Sequence, residues 1–143
     1  MSYNKQQFKI GLTGGIGSGK TFVSTIFNNL NIPVFNSDIE AKKCMNKDKY
    51  LKQGIRNLFG DKVYREGSLQ NKVLSDIVFN NSQNLEKLNK LVHPLVKRSF
   101  DNWCLKQKSR VIIKEAAILF ESDSHYGLDN VICVSAPLET RIK

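Results

Sequence analysis

The sequence predicts an α/β fold built on a parallel sheet, and three observations predict it. An apolar run (Phe8, Ile10, Leu12), a segment with helical spacing (Phe22, Val23, Ile26, Phe27, Leu30) and a second apolar run (Ile32, Val34, Phe35) follow one another as strand, helix and strand. Between the first strand and the helix lies Gly14-Gly15-Ile16-Gly17-Ser18-Gly19-Lys20-Thr21, which fits the pattern G-x-x-x-x-G-K-[ST] without mismatch. Two later apolar runs, Val111-Ile112-Ile113 and Val131-Ile132-Cys133-Val134, supply further strands. A strand–helix–strand crossover in one sheet is right-handed and makes its strands parallel.

Four glycines in the eight loop positions let the backbone turn tightly and aim successive N–H groups into a concave nest for phosphate oxygens. Lys20 supplies a mobile cation for the outer phosphates. Thr21 opens the helix, where its hydroxyl can ligate Mg²⁺ and the helix N-terminus adds partial positive charge. A glycine-rich turn that binds nothing would not need strand, loop, Lys-Thr and amphipathic helix in this order. The helix is expected over 20–30 with one face on the sheet, and 32–35 reads as a strand buried on both faces. Asn36-Ser37-Asp38 then falls at that strand's C-terminal end, the edge of an open parallel sheet where ligands bind. Asp38 is therefore expected on the same rim as the loop. An acid there can orient an acceptor hydroxyl and take its proton during phosphoryl transfer, and it can also cap the helix that follows.

From Ile39 to about Gln107 the pattern is mainly helical, with Leu51, Ile55, Leu58 and Phe59 on one face and Leu85, Leu88, Leu91 and Val92 on another. Gly60-Asp61 and Glu66-Gly67-Ser68 punctuate it. Such an excursion is longer than a simple crossover needs and reads as a substrate-binding insertion. The expected organisation is a single domain, with a core over 7–38 and 108–143 and a helical insertion over about 39–107. The strand at 111–113 delivers Glu115, an acid placed to hold a Mg²⁺-bound water, to meet substrate, or to form an ordinary rim ion pair. His93-Pro94 lies within the helical part, where a structural histidine is the default. Trp103 and the phenylalanines at helical spacing read as core. Pro137-Leu138-Glu139 carries the marks of a helix N-terminus.

With 143 residues, 41% hydrophobic and 24% charged, the chain has the composition of an ordinary globular domain. No apolar run is long enough to span a bilayer, and the polar N-terminus lacks a secretory signal's apolar stretch, so a cytoplasmic location is expected. Cys44, Cys104 and Cys133 form no C-x-x-C pair and suggest neither a disulfide framework nor a zinc site. The net charge of +9 admits nucleic acid, an anionic membrane surface or a phosphorylated small substrate. The basic residues are spread along the chain, densest at Lys42, Lys43, Lys47, Lys49 and Lys52, with no aromatic-interleaved RNA-binding signature. Neither an N-K-x-D guanine motif nor a D-x-x-G switch follows the third strand, so ATP is the expected donor.

At this point the residues resemble a known family, the dephospho-coenzyme A kinases. The resemblance rests on 10–20 (Ile-Gly-Leu-Thr-Gly-Gly-Ile-Gly-Ser-Gly-Lys), on Val34-Phe35-Asn36-Ser37-Asp38 followed by Ala41, on Leu91-Val92-His93-Pro94, and on Ile118-Leu119-Phe120-Glu121 followed by Asp129. It implies a nucleotide-kinase-like P-loop core, a helical insertion that binds the acceptor, and a lid. It also implies transfer of the γ-phosphoryl group of ATP to the ribose 3′-hydroxyl of dephospho-coenzyme A, the last step of coenzyme A synthesis. On this resemblance Asp38 is the base that activates the hydroxyl, Lys20 and Thr21 take phosphate and Mg²⁺, and His93 lies at the acceptor site. The partner is a small molecule rather than nucleic acid or membrane. Asn36 stands where the family usually has aspartate, and Glu115 and Ala117 stand where it usually has Asp and Pro. Family members continue beyond this point through an arginine-bearing lid and a final strand and helix, so the sequence is expected to be a C-terminally shortened form.

Overall fold

The computed structural model describes residues 6–119 and 122–141. In chain order the elements are β1 (Phe8–Gly14), α1 (Lys20–Asn29), β2 (Val34–Asn36), α2 (Ser37–Lys47), α3 (Lys49–Phe59), a 3-10 turn (Asp61–Val63), β3 (Tyr64–Arg65), β4 (Ser68–Leu69), α4 (Asn71–Phe79), α5 (Ser82–Lys106), β5 (Val111–Glu115), β6 (Asn130–Val134) and α6 (Leu138–Arg141). The chain divides into two compact units, Met1–Asp38 with Phe100–Lys143, and Ile39–Ser99.

In the first unit β2, β5, β1 and β6 form, in that order, a four-stranded sheet whose pairs are all parallel. The strand carrying the glycine-rich loop is thus internal, with β5 on one side and β6 on the other. Leu12, Ile112 and Ile113 are fully buried, as near-continuous apolar strands in a covered parallel sheet should be. Phe35 packs edge-on to Phe100 at 5.2 Å between ring centroids, with Trp103 at 5.5 Å, so these aromatics build core, as their spacing implied. Gly11 has a packing reason. A Cβ there would stand 2.6 Å from Leu119 Cδ2 and 2.8 Å from Leu128 Cδ1, so the bare backbone lets the loop after β5 seat its leucines against β1.

α1 departs from the expected packing. Phe22 is 70% exposed, and Ile26 and Leu30 face solvent with it, whereas the polar Ser24 is buried. Helical periodicity identified the helix correctly, and two of its five apolar positions, Val23 and Phe27, are half-buried beside Ser24, while the other three lie on the outer face. The reason lies in the sheet, where a buried carboxylate at the end of β5 takes Ser24 as its partner.

The second unit has its own core of Leu51, Ile55, Phe59, Val63, Leu74, Leu88, Val92 and Val96. Asp48 caps α3 by accepting from Leu51 N at 2.8 Å, which satisfies one of the helix's free N-terminal donors. The antiparallel pair β3–β4 interrupts the helical pattern, and its two-residue turn, Glu66-Gly67, has φ of 51° and 80°. Two positive φ values match the twist of a tight hairpin, and glycine at the second position makes one of them inexpensive. Tyr64 Oη donates to Met45 O at 2.8 Å and ties the hairpin to α2. Pro94 sits inside α5 and removes one helical hydrogen bond there.

Candidate functional site

The glycine-rich loop runs from the C-terminal end of β1 into α1, as the motif requires. Gly17 and Gly19 have φ of 70° and 92°, values that favour glycine. No side chain caps α1, so its first N–H groups are left facing outward, the arrangement that binds phosphate at a helix N-terminus. Gly14 leaves the cradle open: a Cβ would stand 2.5 Å from Val134 O and 2.6 Å from Ser18 Oγ. Ser18 Oγ is buried without a hydrogen-bond partner among the described residues, an orphaned donor inside the nest. Ile16 stands at the exposed tip.

Lys20 is the first residue of α1, and its ammonium lies 3.9 Å from Glu115 Oε1. Glu115 ends β5 and is only 5% exposed. Its other oxygen, Oε2, accepts from Ser24 Oγ at 2.6 Å and from Asn36 Nδ2 at 3.4 Å. Register explains the convergence, since Glu115 pairs with Asn36 on one side and with Leu12 on the other. Lys20 and Ser24, one helical turn apart, reach it from above. A carboxylate this buried needs compensating donors and a cation, and it has both.

Asp38 is exposed and is the second residue of α2. Its carboxylate does not cap that helix. Oδ2 instead accepts from Ala117 N at 3.3 Å, while Ala117 O accepts from Thr13 Oγ1 at 3.4 Å. Ala117 thus links the acid after β2 to β1. A proline at this position would lack the donating N–H, so alanine here serves the acid's placement.

The sheet edge therefore brings together the loop 14–19, Lys20, Thr21, Glu115 and Asp38. Thr21 is exposed on the first turn of α1. His93 lies in the other unit, half-buried on α5. Glu121 and Phe120 fall outside the described residues. Sequence reasoning missed two residues of the site, Ser24 and Arg141. The Arg141 guanidinium is held by Ala136 O at 2.6 Å and by Ser135 Oγ at 3.3 Å, and Nη1 stands 3.1 Å from where a Cβ on Gly15 would be. An arginine at the rim of the glycine-rich loop was findable only by noting that α6 follows β6, the strand beside the loop.

The model of the dephospho-CoA kinase family matches residues 8–143. The chain belongs to the dephospho-CoA kinase family. Dephospho-CoA kinase of Chlorobium chlorochromatii is 38% identical over 148 residues, a match covering 98% of this chain and 70% of that protein. Dephospho-CoA kinase of Porphyromonas gingivalis is 39% identical over 132 residues, covering 92% of this chain and 65% of the relative. A crystal structure from Thermus thermophilus superposes with a TM-score of 0.84 at 28% identity, over 96% of this chain and 70% of that one. Dephospho-CoA kinase from Campylobacter jejuni, 24% identical, shares the fold with a TM-score of 0.68, over 87% of this chain and 64% of its own. The chain thus spans about two thirds of the length of the relatives it matches.

The fold is the α/β, P-loop-kinase arrangement of that family, an enzyme family of phosphotransferases whose donor is ATP. Among the described residues no helix is long and apolar enough to cross a membrane, and no three His, Cys, Asp or Glu side chains cluster as a metal cage. A triphosphate-bound Mg²⁺ does not need one, because it takes one or two protein oxygens and draws the rest from phosphate and water.

Proposed function

We propose that this chain is an ATP-dependent kinase of dephospho-coenzyme A, transferring the γ-phosphoryl group to the ribose 3′-hydroxyl to give coenzyme A. The observation that carries the reading is the meeting, on one sheet edge, of an uncapped glycine-rich loop, Lys20 and an exposed acid, Asp38, anchored by Ala117 N. Loop N–H groups over 14–19 and the N-terminus of α1 hold the phosphates. Lys20 follows the outer phosphates, and Asp38 orients the acceptor hydroxyl and takes its proton. Mg²⁺, when bound, neutralises charge on the transferring phosphoryl group; the Thr21 hydroxyl and the Glu115 carboxylate would hold it or its waters. His93, in the helical unit, serves the acceptor. The partner is this small molecule, without nucleic acid or membrane, and the setting is the cytoplasm.

The test is mass spectrometry of dephospho-coenzyme A incubated with MgATP and this chain, with the Asp38→Asn variant alongside. Gain of one phosphoryl group, absent in the variant, supports the assignment. Transfer to other nucleosides but not to dephospho-coenzyme A would overturn it.

A further inference from the structure

The geometry points to a second small-molecule site in the helical unit, a cavity between α2 and α5 that takes a phosphate monoester with a short apolar body. Its volume is about 310 Å³, at the lower end of the roughly 300–1,000 Å³ usual for ligand pockets. Every lining residue belongs to the unit Ile39–Ser99, so the cavity is complete within that unit. It is also separate from the residues given to phosphoryl transfer. A helix turns about 100° per residue, so on α5 the lining positions 95, 98 and 99 fall on the side away from His93. On α2 the lining positions 40, 43, 44 and 47 likewise fall on the side away from position 38.

The charges at the cavity favour an anion. Both lining carboxylates are engaged: Glu40 Oε2 lies 3.8 Å from Lys43 Nζ, and Asp48 Oδ1 accepts from Leu51 N at 2.8 Å as the cap of α3. Lys47 and Arg98, one from each helix, are exposed and form no ion pair among the described residues. Two uncommitted cations at one opening suit a dianion better than a single carboxylate. The Arg98 guanidinium can donate two parallel hydrogen bonds to phosphate oxygens, and Lys47 adds a movable point charge. Deeper in, half-buried Leu95 offers an apolar wall to the ester's carbon atoms. Half-buried Cys44, hydrogen-bonded with Ser99, lies beside it, so an occupant covers the thiol.

That thiol supplies the experiment. The full chain is alkylated with iodoacetamide in phenyl phosphate, in inorganic phosphate and in NaCl of matched ionic strength, and the rates at Cys44 and at the exposed Cys133 are read by peptide mass spectrometry. Phenyl phosphate should slow Cys44 at least about threefold relative to NaCl and leave Cys133 unchanged. Inorganic phosphate, with no body to meet Leu95, should need a higher concentration for the same effect. Arg98→Gln and Lys47→Gln should lose the protection, whereas Lys72→Gln, on α4 and outside the cavity, should keep it, with thermal melts to check that each variant is folded. His93→Gln should keep it too. No slowing of Cys44 up to about 10 mM phenyl phosphate would overturn the inference, as would equal slowing in NaCl, which is screening alone. Protection that survives in Arg98→Gln and Lys47→Gln would also overturn it. Loss of protection in folded His93→Gln would make the cavity part of the acceptor site and overturn its independence.

Discussion

Replacing Gly14 by alanine tests the phosphate cradle without touching a charged group. The added Cβ would stand 2.5 Å from Val134 O and 2.6 Å from Ser18 Oγ, well inside the roughly 3.5 Å at which non-bonded carbon contacts become favourable. Neither neighbour can simply swing away. Val134 is the register partner of Gly14 in the β1–β6 ladder, and Ser18 is a buried part of the loop itself. Relief must come from opening β6 away from β1 or from pushing the loop outward. Forced overpacking of this kind costs about 1–3 kcal/mol, so the midpoint of urea unfolding should fall with little change in slope. Calorimetry should show ATP affinity falling with it, because the displaced Ser18 lies inside the phosphate nest. Gly15→Ala is the matched control. Its Cβ would meet the Arg141 side chain at 3.1 Å, the movable end of a long residue, and stability should change by no more than about 0.5 kcal/mol. Gly14→Ala as stable as wild type, or Gly15→Ala as damaging as Gly14→Ala, would refute the reasoning.

Asp38→Asn should lower phosphoryl transfer by about 10²- to 10⁴-fold while leaving ATP affinity nearly unchanged, and equal loss of both would remove Asp38 from the base role. Lys20→Ala should weaken ATP binding and transfer together, and unchanged affinity by calorimetry would contradict the assigned phosphate contact. Arg141→Ala removes a cation from the loop rim and should weaken ATP binding severalfold, with melting temperature little altered because the side chain is only partly buried. Burial pushes the Cys44 thiol above its usual range, and the nearby Glu40 and Asp48 carboxylates oppose the thiolate further, despite a hydrogen bond with Ser99. A raised value means less thiolate at a given pH, so alkylation of Cys44 near pH 8 should lag behind that of the exposed Cys133, read by peptide mass spectrometry. Faster modification of Cys44 would contradict that environment.

The site was legible where its determinants are local. Loop, lysine and helix are contiguous over 14–21, and Asp38 sits directly after a recognisable strand, so spacing alone predicted a shared sheet edge. The β3–β4 hairpin was not legible, since two-residue strands carry no measurable alternation and only Glu66-Gly67 marked the turn. Helical period likewise found α1 but did not separate its inner from its outer apolar residues, because the exposed Phe22, Ile26 and Leu30 recur at the same period as the half-buried Val23 and Phe27.

By itself, then, the sequence determined the α/β class, the glycine-rich loop between strand and helix and the acid placed after the second strand, together with the family pattern. All of these are properties of short stretches or of their order. Only the tertiary structure decided the strand order β2-β5-β1-β6, and through it everything that converges on Glu115. Ser24 lies 91 residues from Glu115 and Asn36 lies 79 from it, so no local spacing links them. They meet because β5 inserts between β2 and β1, placing its terminal carboxylate where burial demands donors and a cation, and the neighbouring strand and helix supply them.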